Sequence, residues 1–391
     1  MTFQKIKPPR GQMSVKQASL KSILLIALLV ITVLFIKTLK DNRIASTNEI
    51  FSGLNIRGST MGSYYSIVFG EMKPLALREQ LEKEINNSLL HLNQVFSTWD
   101  EQSEVSHFNK TRNTQSQVVS NDFMKVIQES FRASELLNGA FDITISPLIR
   151  LWGFGPWAKT KTPEEWAQYY PTETQIAKAK ALVNYKKLIV TDSLHIQKLD
   201  PEIELDFSGI VPGFAADEIS RILLKNGISN HLVDVGGEMH IQGVNPHGKP
   251  WQIGIEKPSS SQETKDPTQD PELFAKVSIK DFGSISTSGK QRNHHPSSKS
   301  EIHHIIDPRT GLTSIASALT VTVVTRKYET VIADALTTGL FVLGPEAGLE
   351  WAKQHPEIEV LYIVEVKEEQ PSSNSSKKLK ALHTKDFPFA E

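Results

Sequence analysis

The feature of this sequence that most limits its fold is a crowding of short strand-like segments near its middle. In residues 231 to 279, four segments alternate apolar and polar residues, which is typical of strands with one buried face. The connections 236–238 and 245–250 are too short for a helical crossover between parallel strands. Neighbouring strands are therefore expected to pair antiparallel. The four predicted strands are His231–Val235, Met239–Val244, Trp251–Glu256 and Phe274–Ile279.

Helical segments lie on both sides of this strand-rich region. Apolar residues recur at helical spacing in Pro74–Phe96, and a glycine would end each of the helices Asn121–Asn138 and Phe214–Asn226. Helices combined with antiparallel sheets predict an α+β fold class. The other predicted elements are the strands Met61–Gly70 and Ala318–Thr325, a hairpin within Leu188–Ile203, the helices Glu173–Leu182 and Val331–Val342, and surface loops at Ser259–Glu272 and Glu368–Lys378.

Charge and cysteine content exclude several classes of protein. The chain has 43 Lys+Arg against 44 Asp+Glu, a net charge of -1, so it lacks the basic surplus that nucleic-acid binding requires. It has no cysteine, which excludes disulfide scaffolds, zinc-thiolate sites, Fe–S clusters, thiol nucleophiles and acylated lipoprotein N-termini. No nucleic-acid partner is therefore expected.

The N-terminal 40 residues carry the pattern of a membrane anchor. Ile23–Ile36 contains no charge, and the preceding residues include five Lys or Arg and no acid. Lys37 and Lys40 follow at once, where signal peptidase cleavage needs small uncharged residues, so an uncleaved anchor is favoured over a cleaved signal peptide or a buried core helix. The basic flank stays inside. The chain is thus expected at the inner (cytoplasmic) membrane, facing the periplasm or cell exterior, with an anchor or signal segment at 1–40, a tether at 41–57 and a folded domain at 58–391.

A strand end, two glycines and a helix start follow one another in Leu205–Asp217, which reads LDFSGIVPGFAAD. The glycines allow close approach of the backbone, and the free N–H groups and positive dipole of a helix N-terminus suit phosphate. The segment lacks the Gly-Lys-Ser/Thr ending of a Walker A loop. A glycine-capped turn with no ligand explains the same residues equally well.

Asp334 and Thr338 lie four residues apart on an otherwise apolar helix and therefore share one face. A buried carboxylate is unfavourable unless it is paired or bound to a metal. A carboxylate and a hydroxyl are hard oxygen ligands, which suit Mg²⁺ rather than zinc. The alternative is a structural aspartate in the first turn and a threonine that bonds back to its own helix.

Two histidines stand together before a tight turn in His303–Gly311. On a strand, His303 and His304 would point to opposite sides and chelate poorly. One of them could act as a base or orient a substrate, and the turn would bring Asp307 and Arg309 near the same site. A structural histidine beside a turn is the alternative. The pair His294-His295 is expected to be solvated in a polar loop.

The loop Gly139–Pro156, which follows a predicted helix, contains small and aromatic residues. Such a loop could wall a planar ligand, with Asp142 bonding a ring or a ribose. An ordinary aromatic-lined core loop has the same composition.

Together these segments resemble the FAD:protein FMN transferases, the ApbE-type flavin transferases. The resemblance runs from about Arg57 to Phe389 and implies an ApbE-like, two-lobed α+β fold. The motifs that carry it, in family order, are Gly58–Ser63, Phe96–Asp100 with Ser103–Asn109, the GAFD…SPL…LWGFGP segment, Leu205–Asp217, Val233–Glu238, Ile253–Pro258, Ser286–Gly289 with Arg292-Asn293, His304–Gly311 and Ala333–Gly344.

The resemblance implies an enzyme that takes FAD, transfers its FMN half to a threonine or serine hydroxyl of an acceptor protein and releases AMP. This is the covalent flavinylation step of flavoprotein maturation, and it uses Mg²⁺. By the same resemblance, His304 would be a catalytic histidine, with His304 or Asp307 as the base. The FAD site would be lined by Met61, Trp99, Ala140, Phe141, Asp142, Ser208, Phe214 and Ile306, and Mg²⁺ would be held by Asp334, Thr338 and the carbonyl of Val211.

Two residues depart from the family pattern. Pro212 stands where family members often have lysine, so a positive charge near the phosphates is missing, and Trp99 replaces a common tyrosine. Two other functions fit the same residues. One is a Mg²⁺-dependent FAD pyrophosphatase, with water in place of the threonine. The other is a non-enzymatic FAD-binding protein, against which Asp334, Thr338 and His304 argue.

Overall fold

In a computed structural model, the described residues are 50–51, 55–71, 73–258, 272–290, 294–295, 302–314, 317–366 and 378–390. They divide into two compact units. The first contains residues 1–51 and 73–79, and its described part has two short strands, Ile50–Phe51 and Lys73–Pro74, paired antiparallel. The second contains residues 52–72 and 80–391 and includes every described residue of the predicted site.

An eight-stranded antiparallel sheet forms the centre of the second unit. Its strands lie side by side in the order in which they occur along the chain, and long insertions leave the sheet after β2 and after β4. The strands are β1 (Asn55–Thr60), β2 (Ser63–Phe69), β3 (His231–Val235), β4 (Glu238–Gly243), β5 (Asp281–Gly289), β6 (Ala318–Thr325), β7 (Ile358–Val366) and β8 (Lys378–His383).

Each face of the sheet is covered by a different element. Helices α1 (Val211–Lys225) and α2 (Thr330–Lys353) pack on one face and on each other. An antiparallel hairpin, Trp251–Glu256 with Leu273–Ile279, buries its apolar side chains against the other face. In β5, Ile285 faces this hairpin, whereas the hydroxyl of Ser284 bonds to α2, so the serines of β5 face the helices.

The insertion between β2 and β3 holds the remaining helices and a small sheet. Its helix Ser146–Trp152 forms a second apolar cluster with Ile302 and Ile306. The α-helices outside α1 and α2 are Leu75–Phe96, Glu104–Lys110, Asn121–Leu136, Ser146–Trp152, Pro163–Gln168 and Glu173–Lys180. The short 3-10 helices are Ile143–Ile145, Gly155–Thr160 and Tyr185–Lys187, and the minor strands are Gln117–Val118, Leu188–Asp192 and His195–Lys198 in one sheet and His294–His295 with Ile302–His303 in another.

The predicted α+β class with antiparallel sheets is confirmed, and three strands have the predicted limits: His231–Val235, Trp251–Glu256 and Ala318–Thr325. The single strand predicted at Met61–Gly70 is instead the second half of the β1–β2 hairpin. Its turn is Met61-Gly62, both with positive φ (51° and 71°).

Helix limits differ from the prediction where glycine or proline was taken as a boundary. Helix α1 begins at Val211 rather than Phe214, because proline is compatible with the first turn of a helix, where its missing N–H is not needed. Helix α2 continues to Lys353 and changes direction at Gly344, whose φ of 77° and ψ of 172° are not helical.

The predictions for loops and termini have different outcomes. The pair His294-His295 lies in a strand rather than a loop, and Lys378 begins β8. The rest of the second predicted loop, most of the first and the apolar run Ile23–Ile36 lie outside the described residues. Among the residues that are described, no helix combines the length and apolar character needed to cross a membrane.

Candidate active site

The centre of the candidate site is the contact between α1 and α2. Gly213, in the first turn of α1, lets the helices come close, because an added Cβ would lie only 2.4 Å from the carbonyl oxygen of Thr330. The Gly213 N–H donates to Oδ2 of Asp334 at 2.9 Å. Asp334 is only 4% exposed, and a buried carboxylate needs such partners. The start of α1 and the predicted metal ligand are therefore held together directly.

Thr338 lies one turn after Asp334, on the face of α2 that approaches the loop before α1. An added Cβ on Gly209 would lie 3.1 Å from the Thr338 Oγ1 and 3.5 Å from the Phe141 ring. The Ser288 hydroxyl, at the end of β5, is 3.5 Å from the same Oγ1. The Thr338 and Ser288 hydroxyls thus lie beside the glycine-containing loop, and Asp334 binds the N–H of Gly213 one turn earlier on α2.

The loop that precedes α1 has a shape fixed by a buried carboxylate. The backbone N–H and the hydroxyl of Ser208 both donate to Oδ1 of Asp206, at 2.9 and 2.5 Å. Burial raises the pKa of Asp206. The Asp206 N–H in turn donates to the carbonyl of Ile143 at 2.8 Å, which joins this loop to the predicted FAD-site segment at 140–142. Ser208 itself is exposed, at the surface of the junction.

The N–H groups at the start of α1 already have acceptors, contrary to the expectation that they would be available to phosphate. Those of Ile210, Val211 and Phe214 donate to main-chain carbonyls at 3.0 to 3.1 Å. The N–H of Gly213 is bound to the carboxylate described above, and Pro212 has none. What this helix start can still offer an anion is its dipole.

Several predicted FAD-site residues have buried side chains. Phe214 packs edge-on against Phe96 with ring centroids 6.2 Å apart, and Ile306 belongs to the cluster around Trp152. These two side chains are therefore packed within the core. The buried members of the predicted set are Ala140, Phe141, Asp142, Val211, Phe214, Ile306, Asp307 and Asp334.

Asp142 begins the 3-10 helix Ile143–Ile145 and bonds to two neighbouring segments. Its Oδ1 accepts the N–H and the hydroxyl of Thr144, at 2.8 and 2.6 Å, and its Oδ2 accepts the N–H of Tyr185 at 2.8 Å. Burial raises the pKa of this carboxyl. Asp142 therefore fixes the turn that carries Ala140 and Phe141, and it also lines the cleft next to that turn.

This cleft has a volume of about 560 Å³ and mostly basic charged residues. Its charged lining residues are Lys180, Lys186, Arg309, Glu135 and Asp142. Asp334 and Thr338 are not among its lining residues, so the cleft is distinct from the α1–α2 junction. It connects the turn at 139–142 with the Pro308-Arg309 turn, and both belong to motifs singled out in the sequence.

The two adjacent histidines have different surroundings. His303 is buried, its Nε2 is 2.7 Å from the Ser314 carbonyl oxygen and its Nδ1 accepts the Ile305 N–H at 3.3 Å. Because a carbonyl can only accept, the proton is on Nε2. The ring also packs edge-on against Phe341 of α2 at 5.6 Å. His303 therefore fastens its segment to the part of α2 that follows Thr338.

His304 is half-buried, and its ring centroid is 6.4 Å from that of Phe154. Next to it, the Asp307 carboxylate is held by Arg309 in a two-pronged ion pair, with Nε and Nη2 each 2.9 Å from a carboxylate oxygen. These bonds raise the pKa of Arg309. Of the two candidate bases, Asp307 is thus already engaged by a permanent cation.

For Met61 and Trp99 the described contacts give no link to the α1–α2 junction, and the contacts described for His304, Ile306 and Asp307 give none either. Met61 occupies the β1–β2 turn, where it has a positive φ. Trp99 is 59% exposed, and the ammonium of Lys159 lies 5.4 Å from its ring centroid. The structure therefore unites Ser208, Val211, Phe214, Asp334 and Thr338, with Phe141 and the His303 segment beside them.

Four further residues shape this junction: Gly209, Gly213, Asp217 and Ser288. Sequence reasoning gave the two glycines only a general role in close backbone approach, and it gave no role to Asp217 or Ser288. All four lie within quoted motifs. A glycine in the first turn of an apolar helix was a usable signal for close helix packing at Gly213. No local signal marks Ser288, because its partners come from α2.

Residues 61–362 match the ApbE family. The chain is 34% identical over 311 residues to the FAD:protein FMN transferase of Vibrio cholerae serotype O1, covering 80% of this chain and 87% of that protein. It is also 34% identical over 300 residues to the Escherichia coli K12 protein of that name, covering 75% and 80%.

Solved structures agree with the sequence matches. Flavin transferase ApbE from Vibrio cholerae superposes with a TM-score of 0.71 at 31% identity, covering 87% of this chain and 98% of that chain. The apo form of the Pseudomonas stutzeri flavinyl transferase ApbE superposes with a TM-score of 0.70 at 28% identity, covering 85% and 94%. Sequence and structure together establish that this chain belongs to the ApbE family.

Proposed function

We propose that this chain is a FAD:protein FMN transferase. A threonine or serine hydroxyl of an acceptor protein attacks the FMN phosphorus of FAD, a new phosphoester bond forms, the bond to AMP breaks and the hydroxyl proton passes to a base. The observation that carries the proposal is the family membership, with relatives of that name, joined to the convergence of Asp334, Thr338 and the glycine loop at one junction.

The metal that we propose for this junction is Mg²⁺, held by Asp334, Thr338 and the carbonyl of Val211. All three donors are hard oxygens. No group of three or more His, Asp or Glu side chains that could hold a metal occurs in the described ranges. That fits Mg²⁺, which usually takes one or two carboxylates and completes its shell with water and substrate phosphate. When bound, it would neutralise charge on the diphosphate and on the departing AMP.

His304 is the base that we propose for the acceptor hydroxyl. A hydroxyl is a poor nucleophile until its proton is removed, and histidine titrates in the right range. Asp307 is less suited, because Arg309 donates hydrogen bonds to both of its carboxylate oxygens. In this proposal, Asp307 and Arg309 keep the turn after His304 in place.

The N-terminal segment is part of the proposal as a membrane anchor, supported by the uncharged run Ile23–Ile36 and the basic residues before it. The transferase domain would then face the periplasm or cell exterior. Protease added to intact spheroplasts should degrade the domain but spare a cytoplasmic marker. Protection equal to that of the marker would contradict this orientation.

The test of the transferase uses the full-length chain with FAD, Mg²⁺ and an acceptor domain that carries a threonine. AMP release and acceptor mass are followed together, and the acceptor should gain the mass of one FMN. Asp334→Asn keeps an oxygen that can accept the Gly213 N–H but removes the charge, so transfer should fall about a thousandfold or more. Asp281→Asn, the same change at an exposed position, is the matched control.

The other outcomes separate the alternatives. AMP released at the normal rate with an unmodified acceptor would support the pyrophosphatase. FAD bound without AMP release would leave a flavin-binding protein. Full activity in Asp334→Asn would remove this carboxylate from the proposed metal site.

A further inference from the structure

A second contact between α1 and α2 lies one turn away from the Gly213–Asp334 contact. Asp217 of α1 is 1% exposed. Its Oδ1 accepts the N–H of Thr330 at 3.0 Å, and its Oδ2 accepts the N–H of Val331 at 2.8 Å. These are the first N–H groups of α2, and Glu329, which precedes them, supplies no side-chain cap. A residue of another helix therefore performs the capping that a local side chain usually provides.

The Asp217 carboxylate is itself fixed from the sheet. His240 of β4 places its Nδ1 2.7 Å from Oδ1 of Asp217, and both side chains are buried. Because a carboxylate only accepts hydrogen bonds, Nδ1 carries the proton. The Thr330 hydroxyl continues the network to Ser284 of β5 at 3.2 Å. Asp217 thus connects the sheet, α1 and the start of α2.

The two contacts run in opposite directions along the helices. Asp217 follows Gly213 by four residues, whereas Thr330 precedes Asp334 by four. Two contacts one turn apart, made of three hydrogen bonds, restrict both the translation and the rotation of α2 relative to α1. The same relation sets where Asp334 and Thr338 lie relative to the carbonyl of Val211, which is the first residue of α1.

We propose that Asp217 is a positioning residue for the metal site. This inference rests on the proposed function, because it concerns the same donors. Asp217 acts on the ligands through the relative position of the two helices, while His240 holds its carboxylate in the required orientation. An error of about 1 Å in a site's supporting structure is enough to weaken it, and outer partners of metal ligands typically contribute 10- to 100-fold in affinity.

The test measures Mn²⁺ binding to the full-length chain by electron paramagnetic resonance, which does not depend on turnover. Asp217→Asn offers an NH₂ where a second acceptor is needed, so at least one backbone N–H loses its partner. The Kd for Mn²⁺ should rise about 10- to 100-fold. Ser220→Ala is the matched control, because it removes a buried 2.8 Å bond from α1 to His231 without touching α2.

A merely structural Asp217 would give a different pattern. Ser220→Ala should lower the unfolding midpoint but keep the wild-type Kd for Mn²⁺. Equal Kd values for wild type and Asp217→Asn, or an equal loss in both variants, would overturn the positioning role. A wild-type chain that binds no Mn²⁺ would overturn it as well.

Two further variants keep the inference testable if Asp217→Asn does not fold. His240→Leu removes the donor that orients Asp217 and should weaken Mn²⁺ binding. His240→Asn can place an N–H near the Nδ1 position and should restore much of the affinity. Weakened binding in His240→Leu without rescue by His240→Asn would count against the inference.

The FMN-transfer assay decides the proposed function separately. If the wild type binds Mn²⁺ but transfers no FMN, the transferase fails while the Kd values still decide the role of Asp217. If transfer succeeds and Asp217→Asn binds Mn²⁺ normally, the transferase stands and the inference fails.

Discussion

At the scale of single residues, His303 and His304 differ because of where their neighbours lie. Both nitrogens of His303 are engaged by the backbone of its own loop, so it cannot exchange protons without losing those bonds. His304 is half-buried at the edge of the same loop. We assign proton transfer in the proposed reaction to His304, since His303 holds its loop on α2.

This assignment predicts unequal effects of two substitutions. His304→Gln should lower the single-turnover rate of FMN transfer by about 10²- to 10⁴-fold, the usual contribution of a general base, without changing Mn²⁺ affinity. Asp307→Asn should lower the rate much less, because Asp307 acts on the turn through Arg309. A larger rate loss in Asp307→Asn than in His304→Gln would show that the carboxylate is the base.

Some residue-level features follow from local sequence and others do not. The shared face of Asp334 and Thr338 could be predicted, because helical spacing alone determines it. The burial of His303 could not, since its main partner is a carbonyl eleven residues later. The capping role of Asp217 depends on a helix more than a hundred residues away.

At the scale of elements, alternation of apolar and polar residues predicted strand limits both where one face is more open, as in His231–Val235, and where nearly every residue is buried, as in Ala318–Thr325. The limits of His231–Val235 were correct, and its burial alternates residue by residue. Strand β5 reads DFGSISTSG, and its serines face α2 instead of water, so no hydrophobic pattern marked it. The apolar run in β7 does not distinguish a strand from a buried helix.

The close contact of α1 with α2 makes a prediction that opposes helix propensity. Gly213→Ala should favour the helix by up to about 1 kcal/mol, but the new Cβ would meet the Thr330 carbonyl oxygen at 2.4 Å. We expect a net loss of about 1–3 kcal/mol in the free energy of unfolding, typical of overpacking, together with reduced FMN transfer. Urea denaturation measures the first quantity and the acceptor mass assay the second.

Leu224→Ala, at an exposed position of the same helix, is the control and should change both quantities little. An increase in stability for Gly213→Ala would mean that the helices can separate without penalty. The proposed rigid spacing of the metal donors would then be untenable.

At the scale of the whole molecule, the residues of the candidate site come mainly from segments that connect the strands of the central sheet. The strands lie in chain order, yet the site takes residues from the insertion after β2, from α1, from the end of β5 and from α2. Local sequence patterns identify each of these segments separately. Their meeting depends on the packing of α1 and α2 on the same face of the sheet, which no local pattern encodes.

The buried polar pair Ser220 and His231, between α1 and the sheet, also makes the stability of the whole fold depend on pH. His231 bonds to Ser220 beneath α1, and burial, followed by charge on His240, lowers its pKa from 6.5 to about 4. Between these two values the unfolded chain binds a proton that the folded chain does not. The free energy of unfolding should therefore fall as the pH falls from about 6.5 to about 4, by about 3 kcal/mol from this residue.

A difference measurement isolates this effect from that of the buried carboxyls. Burial raises the pKa of Asp142 and Asp206, so their protonation at low pH acts in the opposite direction. Urea denaturation of wild type and His231→Gln is compared at pH 7.5, 5.5 and 4.5, so that the contributions of Asp142 and Asp206, present in both proteins, cancel. As the pH falls, the free energy of unfolding of the wild type should fall relative to that of the variant. His247→Gln, an exposed histidine, should track the wild type. A pH-independent difference between wild type and His231→Gln would mean that His231 binds its proton equally in the folded and unfolded chains, so that burial does not lower its pKa.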